Sequence, residues 1–285
     1  MEASTYYTYQ KRRQNPTTTN QAAKKPGRKK PGYSLDRQGR QIPDHIIEKW
    51  LVEAIEGDGY PYGYRKLTVE LREQRKLIVN HKKVYRLCKE LQILRPKRER
   101  KPYRPGKVAH KRKPSQSNQQ WEIDLKYGYL HQKQTFFYQM SIIDIFDRSI
   151  VESHIGLSAK ATDAVRIVRI AAKNRNIQPG QLTLRSDNGP QFRAKQFVKT
   201  LKELGITHER TPINSPNLNA YIEAFHSVLE DECYNQNEFE TFQDAYEVIT
   251  DYLTYYNYRR RHGSIGYNAP MQYYWKHQTP ETRAA

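Results

Sequence analysis

The sequence predicts an α/β protein: a mixed five-stranded sheet flanked by helices, preceded by a small all-helical domain of the helix-turn-helix type. Two observations predict this fold class. In residues 43–94 apolar side chains recur at helical spacing, whereas the alternation typical of strands begins near residue 120. From there three strands follow one another before helices and strands alternate, an order typical of a mixed sheet covered by helices.

Three short helices are predicted in residues 43–94. The first begins at Asp44 and ends at Gly57, the second repeats apolar residues over 64–71, and the third begins after Asn80, a favoured N-cap residue. The outer face of the third helix is basic, which suits a helix-turn-helix reader of DNA. A helical bundle with a solvated basic face is the open alternative. The candidate DNA contacts on this face are Lys82, Lys83 and Arg86.

Five strands and four helices are predicted in the second half of the chain. Each strand is short and rich in β-branched or aromatic residues, and each helix carries one apolar face. The strands are predicted at 121–125, 136–145, 149–155, 182–184 and 206–209, and the helices at 163–172, 194–204, 218–232 and 241–258.

The net charge of +19 arises from 49 basic and 30 acidic residues and is concentrated in two segments. Residues 1–40 hold ten basic and two acidic residues, and residues 95–114 hold ten basic residues against Glu99. Neither composition supports a core, so we expect a disordered arm over 1–42 and an extended linker over 95–116. Both suit electrostatic contact with DNA phosphates, and tails that only aid solubility are the alternative. The linker residues expected to touch DNA are Arg98, Arg100, Lys101, Arg104, Lys111, Arg112 and Lys113.

Composition excludes several classes of protein. The mean hydropathy is -0.97, and no apolar stretch reaches the roughly 18–20 residues that cross a bilayer. No hydrophobic signal-peptide core follows Met1, and Cys88 and Cys233 form no CxxC pair, which argues for a reducing compartment. We therefore expect a soluble intracellular protein with a second domain over 117–276 and a tail over 277–285.

Three acidic residues stand where a metal site could form. Asp124 lies on the first strand of the second domain, Asp187 directly follows a later strand, and Glu223 lies one turn into a helix. Open α/β folds place functional sites at the carboxyl ends of strands. Carboxylates brought together repel each other, so their ionised forms need a cation, and Mg²⁺ suits carboxylate and phosphate oxygens. The pattern predicts a phosphoryl-transfer site that takes a pair of Mg²⁺ ions.

Four motifs occur in an order that resembles a known family. Asp187 and Glu223 have 35 residues between them, and the acidic residues lie in the sequences WEID, SDNGPQF and NAYIEAF. This pattern resembles the DD35E signature of retroviral-integrase-like transposases. YGYR at 62–65, and YNYRRRH at 256–262 followed by IGY and a proline, resemble elements of bacterial insertion-sequence transposases of the OrfB type. The resemblance covers residues 43–275.

The resemblance implies an RNase H-like fold, that of the integrase catalytic core, and a metal-dependent enzyme that cuts and joins DNA. Asp124, Asp187 and Glu223 would be its catalytic residues and the ligands of Mg²⁺ or Mn²⁺, with two ions when DNA is bound. The implied partners are double-stranded DNA, as terminal inverted repeats and target, and further copies of the chain on DNA. The start of the chain resembles an internal segment of longer relatives, which predicts an upstream-frame partner or fusion. The expected location is the bacterial cytoplasm, at the nucleoid.

Further DNA contacts are expected around the acidic residues. Asn188 follows the second ligand, and Asn219 shares a helix face with Glu223. One position departs from the resemblance, because many relatives carry Lys or Arg seven residues after the glutamate, where this chain has Glu230. Either other residues supply the positive contact, or this helix meets DNA differently. The residues expected to supply it are His226, Arg185 or the Arg259–Arg261 cluster. Arg260 and His262 are also expected among the DNA contacts.

Several alternatives remain open at the level of sequence. Asp144 and Asp147 are rival first carboxylates, although Asp144 lies in an apolar run that favours a structural role. A tyrosine recombinase is not supported, because no histidine is followed three residues later by arginine, and no Gly-x4-Gly-Lys-Ser/Thr supports an ATP-driven mechanism. A DNA-binding protein without catalysis and a structure-specific nuclease of the same fold are the rival functions.

Overall fold

The computed structural model describes residues 31–96, 113–212 and 219–278. Its first part is a small domain built on three helices, which pack around a buried centre that includes Leu51 and Leu87. The side chain of Asn80 accepts a hydrogen bond from the backbone N–H of Lys82 at 2.9 Å, as expected of an N-cap. The helices are α1 (Asp44–Glu56), α2 (Tyr64–Gln74) and α3 (His81–Glu90).

This domain is not all-helical, and it begins before residue 43, which corrects two expectations. Strand β1 (Tyr33–Asp36) pairs antiparallel with β2 (Gln41–Pro43) and with β3 (Leu77–Ile78). The Asp36 carboxylate accepts backbone hydrogen bonds across the β1–β2 turn. On β1 the buried residues are Ser34 and Asp36, while Tyr33 and Leu35 are exposed. In β1 the polar residues are buried and the apolar residues are exposed, which is the inverse of the usual pattern in a strand. The sequence of this segment therefore does not predict a strand.

The second domain contains the predicted mixed sheet of five strands. Strands β4 (Gln120–Leu130), β5 (Thr135–Asp144) and β6 (Ile150–Gly156) form an antiparallel meander. Strands β7 (Thr183–Ser186) and β8 (Thr207–Arg210) extend the sheet on the other side of β4, and both pairings are parallel. The strand order is β6-β5-β4-β7-β8.

Helices cover both faces of this sheet. One face, which includes Ile123 and Ile142, packs against the apolar sides of three helices, and the other, which includes Phe137 and Ile143, packs against two. On the first face lie α4 (Ala161–Asn174), α5 (Pro190–Arg193) and α6 (Lys195–Glu203), and on the second lie α7 (Ala220–Glu232) and α8 (Phe242–Tyr258). A final helix, α9, spans Pro270–Lys276. Within the described ranges, no helix is both long enough and apolar enough to cross a membrane.

Contacts between the two domains join the two motifs that flank the acidic residues. The Tyr62 hydroxyl accepts a hydrogen bond from the backbone N–H of Arg261 at 2.8 Å, and the Arg261 guanidinium binds Glu70 and Glu73 of α2. The Tyr255 hydroxyl donates to the Asp58 carbonyl at 2.7 Å. We name these six residues the interdomain latch: Asp58, Tyr62, Glu70, Glu73, Tyr255 and Arg261.

Candidate active site

The parallel pairing of β4 with β7 brings two acidic residues side by side. Ile123 of β4 lies opposite Ser186, the last residue of β7. Asp124 and Asp187 are the next residues along these two neighbouring strands, and both line one cavity of about 510 Å³. The backbone N–H of Gly189 donates to Asp187 Oδ1 at 2.8 Å, and the N–H of Leu125 donates to Asp124 Oδ1 at 2.8 Å. The strand pairing therefore fixes the backbone positions of Asp124 and Asp187, and backbone N–H groups hold their carboxylates.

The third acidic residue, Glu223, lies in the first turn of α7 and is positioned through a buried glutamate on β4. Glu122 is fully buried, and its Oε2 accepts the backbone N–H groups of Tyr221 and Ile222 at 3.0 and 2.9 Å. A carboxylate there also complements the positive end of the helix dipole. Glu122 thus fastens the helix that carries Glu223 to the strand that carries Asp124.

Glu122 was missed by the sequence reasoning, although it stands two residues before Asp124. An acidic residue at an inward position of an otherwise apolar strand is the signal that could have revealed it.

Burial and negative charge both act on Asp124. Burial raises its pKa to about 7, and the negative charges of Asp187, Glu223 and Glu122 add to the effect, against the hydrogen bond from Leu125. Carboxylates this close are destabilised in the ionised form unless a cation compensates them. Their hard oxygen donors suit Mg²⁺ or Mn²⁺. In the part of the chain that the structure describes, no three His, Cys, Asp or Glu side chains are already arranged to hold a metal ion. The carboxylate oxygens are therefore of the kind that binds Mg²⁺ or Mn²⁺, but the described side chains are not already arranged as a complete set of metal ligands.

His226 lies beside this site and does not point outward as a DNA contact would. Its Nδ1 is 3.6 Å from Asp124 Oδ2, and 12% of its side chain is exposed. Burial lowers the pKa of His226 to about 3, helped by the charge of Lys126, so the imidazole is neutral. A neutral and largely enclosed imidazole does not favour the expected positive contact between His226 and DNA.

Glu230, the residue that departs from the family pattern, has a partner on the sheet. Lys126 of β4 lies 2.6 Å from its carboxylate. The acidic side chain is thus compensated by a lysine that projects from the same strand as Asp124.

Two arginines expected to bind DNA are instead used inside the protein. Arg185, 8% exposed, binds Glu122 at 3.5 Å and Glu209 at 3.0 Å. Arg260, 5% exposed, donates two hydrogen bonds to the Glu232 carboxylate. Side chains enclosed in this way have little surface to offer to DNA, which corrects both expectations.

The remaining candidate DNA contacts lie near the acidic residues or in the segment 256–262, on α3, and in the linker. Asn188 is exposed beside the acidic residues and donates to the Thr211 carbonyl at 2.7 Å. Asn219 is buried at the start of α7, and its Oδ1 has no partner among the described residues. His262 hydrogen-bonds Ser264 through Nδ1.

On α3, Lys82 is exposed, whereas two neighbouring cations, Lys83 and Arg86, are bound to Asp44. In the linker, Lys113 is exposed. The other linker candidates, Arg98, Arg100, Lys101, Arg104, Lys111 and Arg112, lie outside the described residues.

The rival carboxylates Asp144 and Asp147 are structural. Asp144 is fully buried and accepts hydrogen bonds from the backbone N–H of Asn118, the Trp121 indole and the N–H of Phe146. Burial raises its pKa to about 7, with Asp147 the next contributor. Asp147 in turn binds Ser149 and Arg175.

Comparison with known proteins agrees with the fold of both domains. Two models, both described as integrase core domain, match residues 114–216 and 204–270, and a model described as HTH-like domain matches residues 43–102. The chain is also similar in fold to a chain of the simian T-cell lymphotropic virus intasome in complex with PP2A regulatory subunit B56 gamma. That likeness has a TM-score of 0.51 and 15% identity, and it covers 82% of this chain and 75% of the other.

Fold and site therefore define a protein with an integrase core behind an HTH-like domain. Among curated proteins, an uncharacterized 39.2 kDa protein of insertion element IS476 from Xanthomonas euvesicatoria is 32% identical over 79% of this chain and 63% of its own length. The putative transposase InsK of insertion element IS150 from Escherichia coli is 27% identical over 80% of this chain and 82% of its own length. The chain is therefore similar to proteins of bacterial insertion elements and carries a match to the integrase core, and it spans somewhat less than two thirds of the first of these relatives.

Proposed function

We propose that the protein is a metal-dependent polynucleotidyl transferase that cuts DNA at the ends of an insertion sequence and joins them to target DNA. One observation carries the proposal: parallel pairing of β4 with β7 places Asp124 beside Asp187, and Glu122 fastens the helix of Glu223 to the same strand. The family resemblance supports the same three residues as the catalytic set.

In this proposal Asp124, Asp187 and Glu223 hold one or two Mg²⁺ ions, for which Mn²⁺ can substitute. When bound, the metal supplies Lewis acidity and lowers the pKa of an attacking oxygen. The scissile phosphodiester lies beside the cavity that Asp124 and Asp187 line. Gly189 keeps the Asp187 carboxylate in place, and neutral His226 shields Asp124 from solvent.

The proposed DNA surface is divided between the two domains. The exposed basic side of α3, including Lys82, and the basic linker, including Lys113, bind DNA phosphates, and Asn188 contacts DNA near the cut. The substrates are the terminal inverted repeats and the target duplex, held by a homo-oligomer at the bacterial nucleoid.

The proposal is tested with duplexes that carry the element ends, by following both nicking and joining with and without Mg²⁺. Asp187→Asn should lose at least about 10³-fold in both reactions, because an amide is a poor ligand, yet should bind DNA as the wild type does. Asp251→Asn, an exposed carboxylate on α8, is the matched control and should retain activity. Full activity in Asp187→Asn would contradict the assignment of Asp187 as a catalytic residue. Cutting without joining by the wild type would favour a nuclease.

A further inference from the structure

A cavity of about 710 Å³ lies between the helical domain and the catalytic domain, on the side of α7 next to Glu223. Ala220 and Ser227, which line it, stand three residues before and four residues after Glu223, and so share its side of the helix. Lys66 of α2 contributes to the wall from the other domain. The cavity therefore lies along α7 beside the proposed cutting site, and the helical domain adds Lys66 to its wall.

The floor of this cavity is apolar. Ile143, Phe225 and Tyr256 line it and are almost completely buried. One wall is a stacked pair, in which the Arg148 guanidinium lies over the Tyr221 ring at 4.0 Å from its centre. Aromatic rings and guanidinium planes are the surfaces on which unpaired bases stack.

The charged residues that line the cavity are all basic: Lys66, Arg148 and Arg260. Arg260 is neutralised by Glu232, whereas Arg148 has a buried nitrogen, Nη1, without a hydrogen-bond partner in the described part of the chain. Buried donors of this kind are rarely left unsatisfied, so an acceptor from a ligand is expected there. Burial, together with the positive charges of Arg260, Lys66 and Arg148, lowers the pKa of His262 to about 3. These same cations face the cavity and favour an anionic ligand.

We propose that this cavity receives one unpaired nucleotide of the DNA end, with its base against the apolar floor and the Tyr221–Arg148 wall and its phosphate near Lys66 and Arg148. The volume and the apolar floor favour a base rather than a phosphate alone, which needs no such floor. This inference rests on the proposed function, because the nucleotide is one that adjoins the cut. It assigns a substrate subsite that the second domain builds and to which the helical domain contributes Lys66.

The test compares DNA affinity for matched and mismatched duplexes, because a base must be unpaired before it can enter the cavity and unpairing costs free energy. A mismatch lowers that cost, so a duplex mismatched at the flipped position should bind about tenfold tighter than the matched duplex. Affinity is measured by fluorescence anisotropy in EDTA on a series of end duplexes, each with one mismatch near the cut. Ser227→Phe fills the cavity and should abolish the tenfold gain, whereas Gln243→Phe on the exposed side of α8 should keep it. If Ser227→Phe unfolds, Ala224→Phe fills the same cavity from the neighbouring turn.

Two results would overturn the inference: a wild-type chain that binds all matched and mismatched ends equally, or a filled cavity that keeps the gain. Equal binding would indicate that only duplex phosphates contact this wall. Since the measurement needs no metal, its failure is distinct from that of the proposed function, which would show as absent Mg²⁺-dependent cutting by the wild type.

Discussion

Arg260 and Glu232 form a two-pronged ion pair in the protein interior, with Nε to Oε2 at 2.5 Å and Nη2 to Oε1 at 2.6 Å. The Tyr252 hydroxyl donates a further hydrogen bond to Oε2 at 3.0 Å. The pair joins the end of α8 to the end of α7, so the position of the helix that carries Glu223 depends on it.

Breaking this pair from one side should strongly destabilise the protein. Arg260→Met leaves the Glu232 carboxylate buried without its cation, which costs about 3–5 kcal/mol in the free energy of unfolding. The double variant Arg260→Met, Glu232→Leu should recover most of that loss, because no charge is left behind. Urea unfolding measures both. Arg259→Met, which breaks an exposed pair with Asp58, should cost less than about 1 kcal/mol. An equal loss in Arg259→Met and Arg260→Met would contradict the structural role.

Glu122 is predicted to act on catalysis through position. Glu122→Gln weakens its hold on the start of α7 and should lower strand-transfer activity about 10²-fold, since small displacements of a catalytic group cost that much. The measurement is the turnover rate at saturating DNA, with DNA affinity determined alongside. Glu209→Gln removes the other partner of Arg185 without touching α7, so its activity should stay near that of the wild type. A Glu122→Gln enzyme with normal turnover would refute the role.

Glu230 is predicted to restrain DNA binding. Glu230→Gln releases Lys126 from its 2.6 Å ion pair, so that this lysine becomes available to a phosphate. The salt dependence of DNA affinity should then steepen by about one unit in the log–log slope. Glu238→Gln, an exposed carboxylate outside α7, serves as the control, and an identical slope in all three proteins would show that Lys126 does not reach DNA.

The linker should carry a larger part of the same salt dependence. Neutralising the basic residues of 95–114 removes up to ten positive charges, and the slope should fall in proportion to those that contact phosphates. A shuffled linker of unchanged composition should keep the slope, because counterion release depends on charge. An unaltered slope after neutralisation would make the segment a spacer.

Acid should weaken the helical domain through Asp44. Burial opposes the ionised form of Asp44, but its hydrogen bonds and attraction to Lys83 and Arg86 outweigh this and lower its pKa below 3.8. A lowered folded pKa means that the stabilisation is present above the unfolded pKa, near 4, and is lost as the pH falls through the lower folded value. Asp44→Asn should remove this part of the pH dependence at a cost of at most about 1 kcal/mol at neutral pH. Unfolding measured from pH 2 to pH 6 checks it, with Glu53→Gln at an exposed pair as the control.

Sequence patterns predicted the architecture of the catalytic domain because its strands and helices have strong periodicity and well-marked ends. Asp124 and Asp187 could be placed at one edge, since strand ends in such sheets converge. The partners of Arg185 and Arg260 could not be predicted, because Glu122 and Glu232 lie 63 and 28 residues away along the chain. A basic residue looks the same in sequence whether it faces DNA or a buried carboxylate. Strand β1 escaped prediction for a different reason, since its polar residues are the buried ones.

The latch also has a consequence for the order in which the protein is made. Tyr62 and the backbone N–H of Arg261 that it binds are separated by 199 residues. Since N-terminal domains fold first during synthesis, the helical domain leaves the ribosome long before Arg261 has been translated. A nascent chain can therefore expose the basic face of α3 early, but the two domains become aligned only after nearly the whole second domain has emerged.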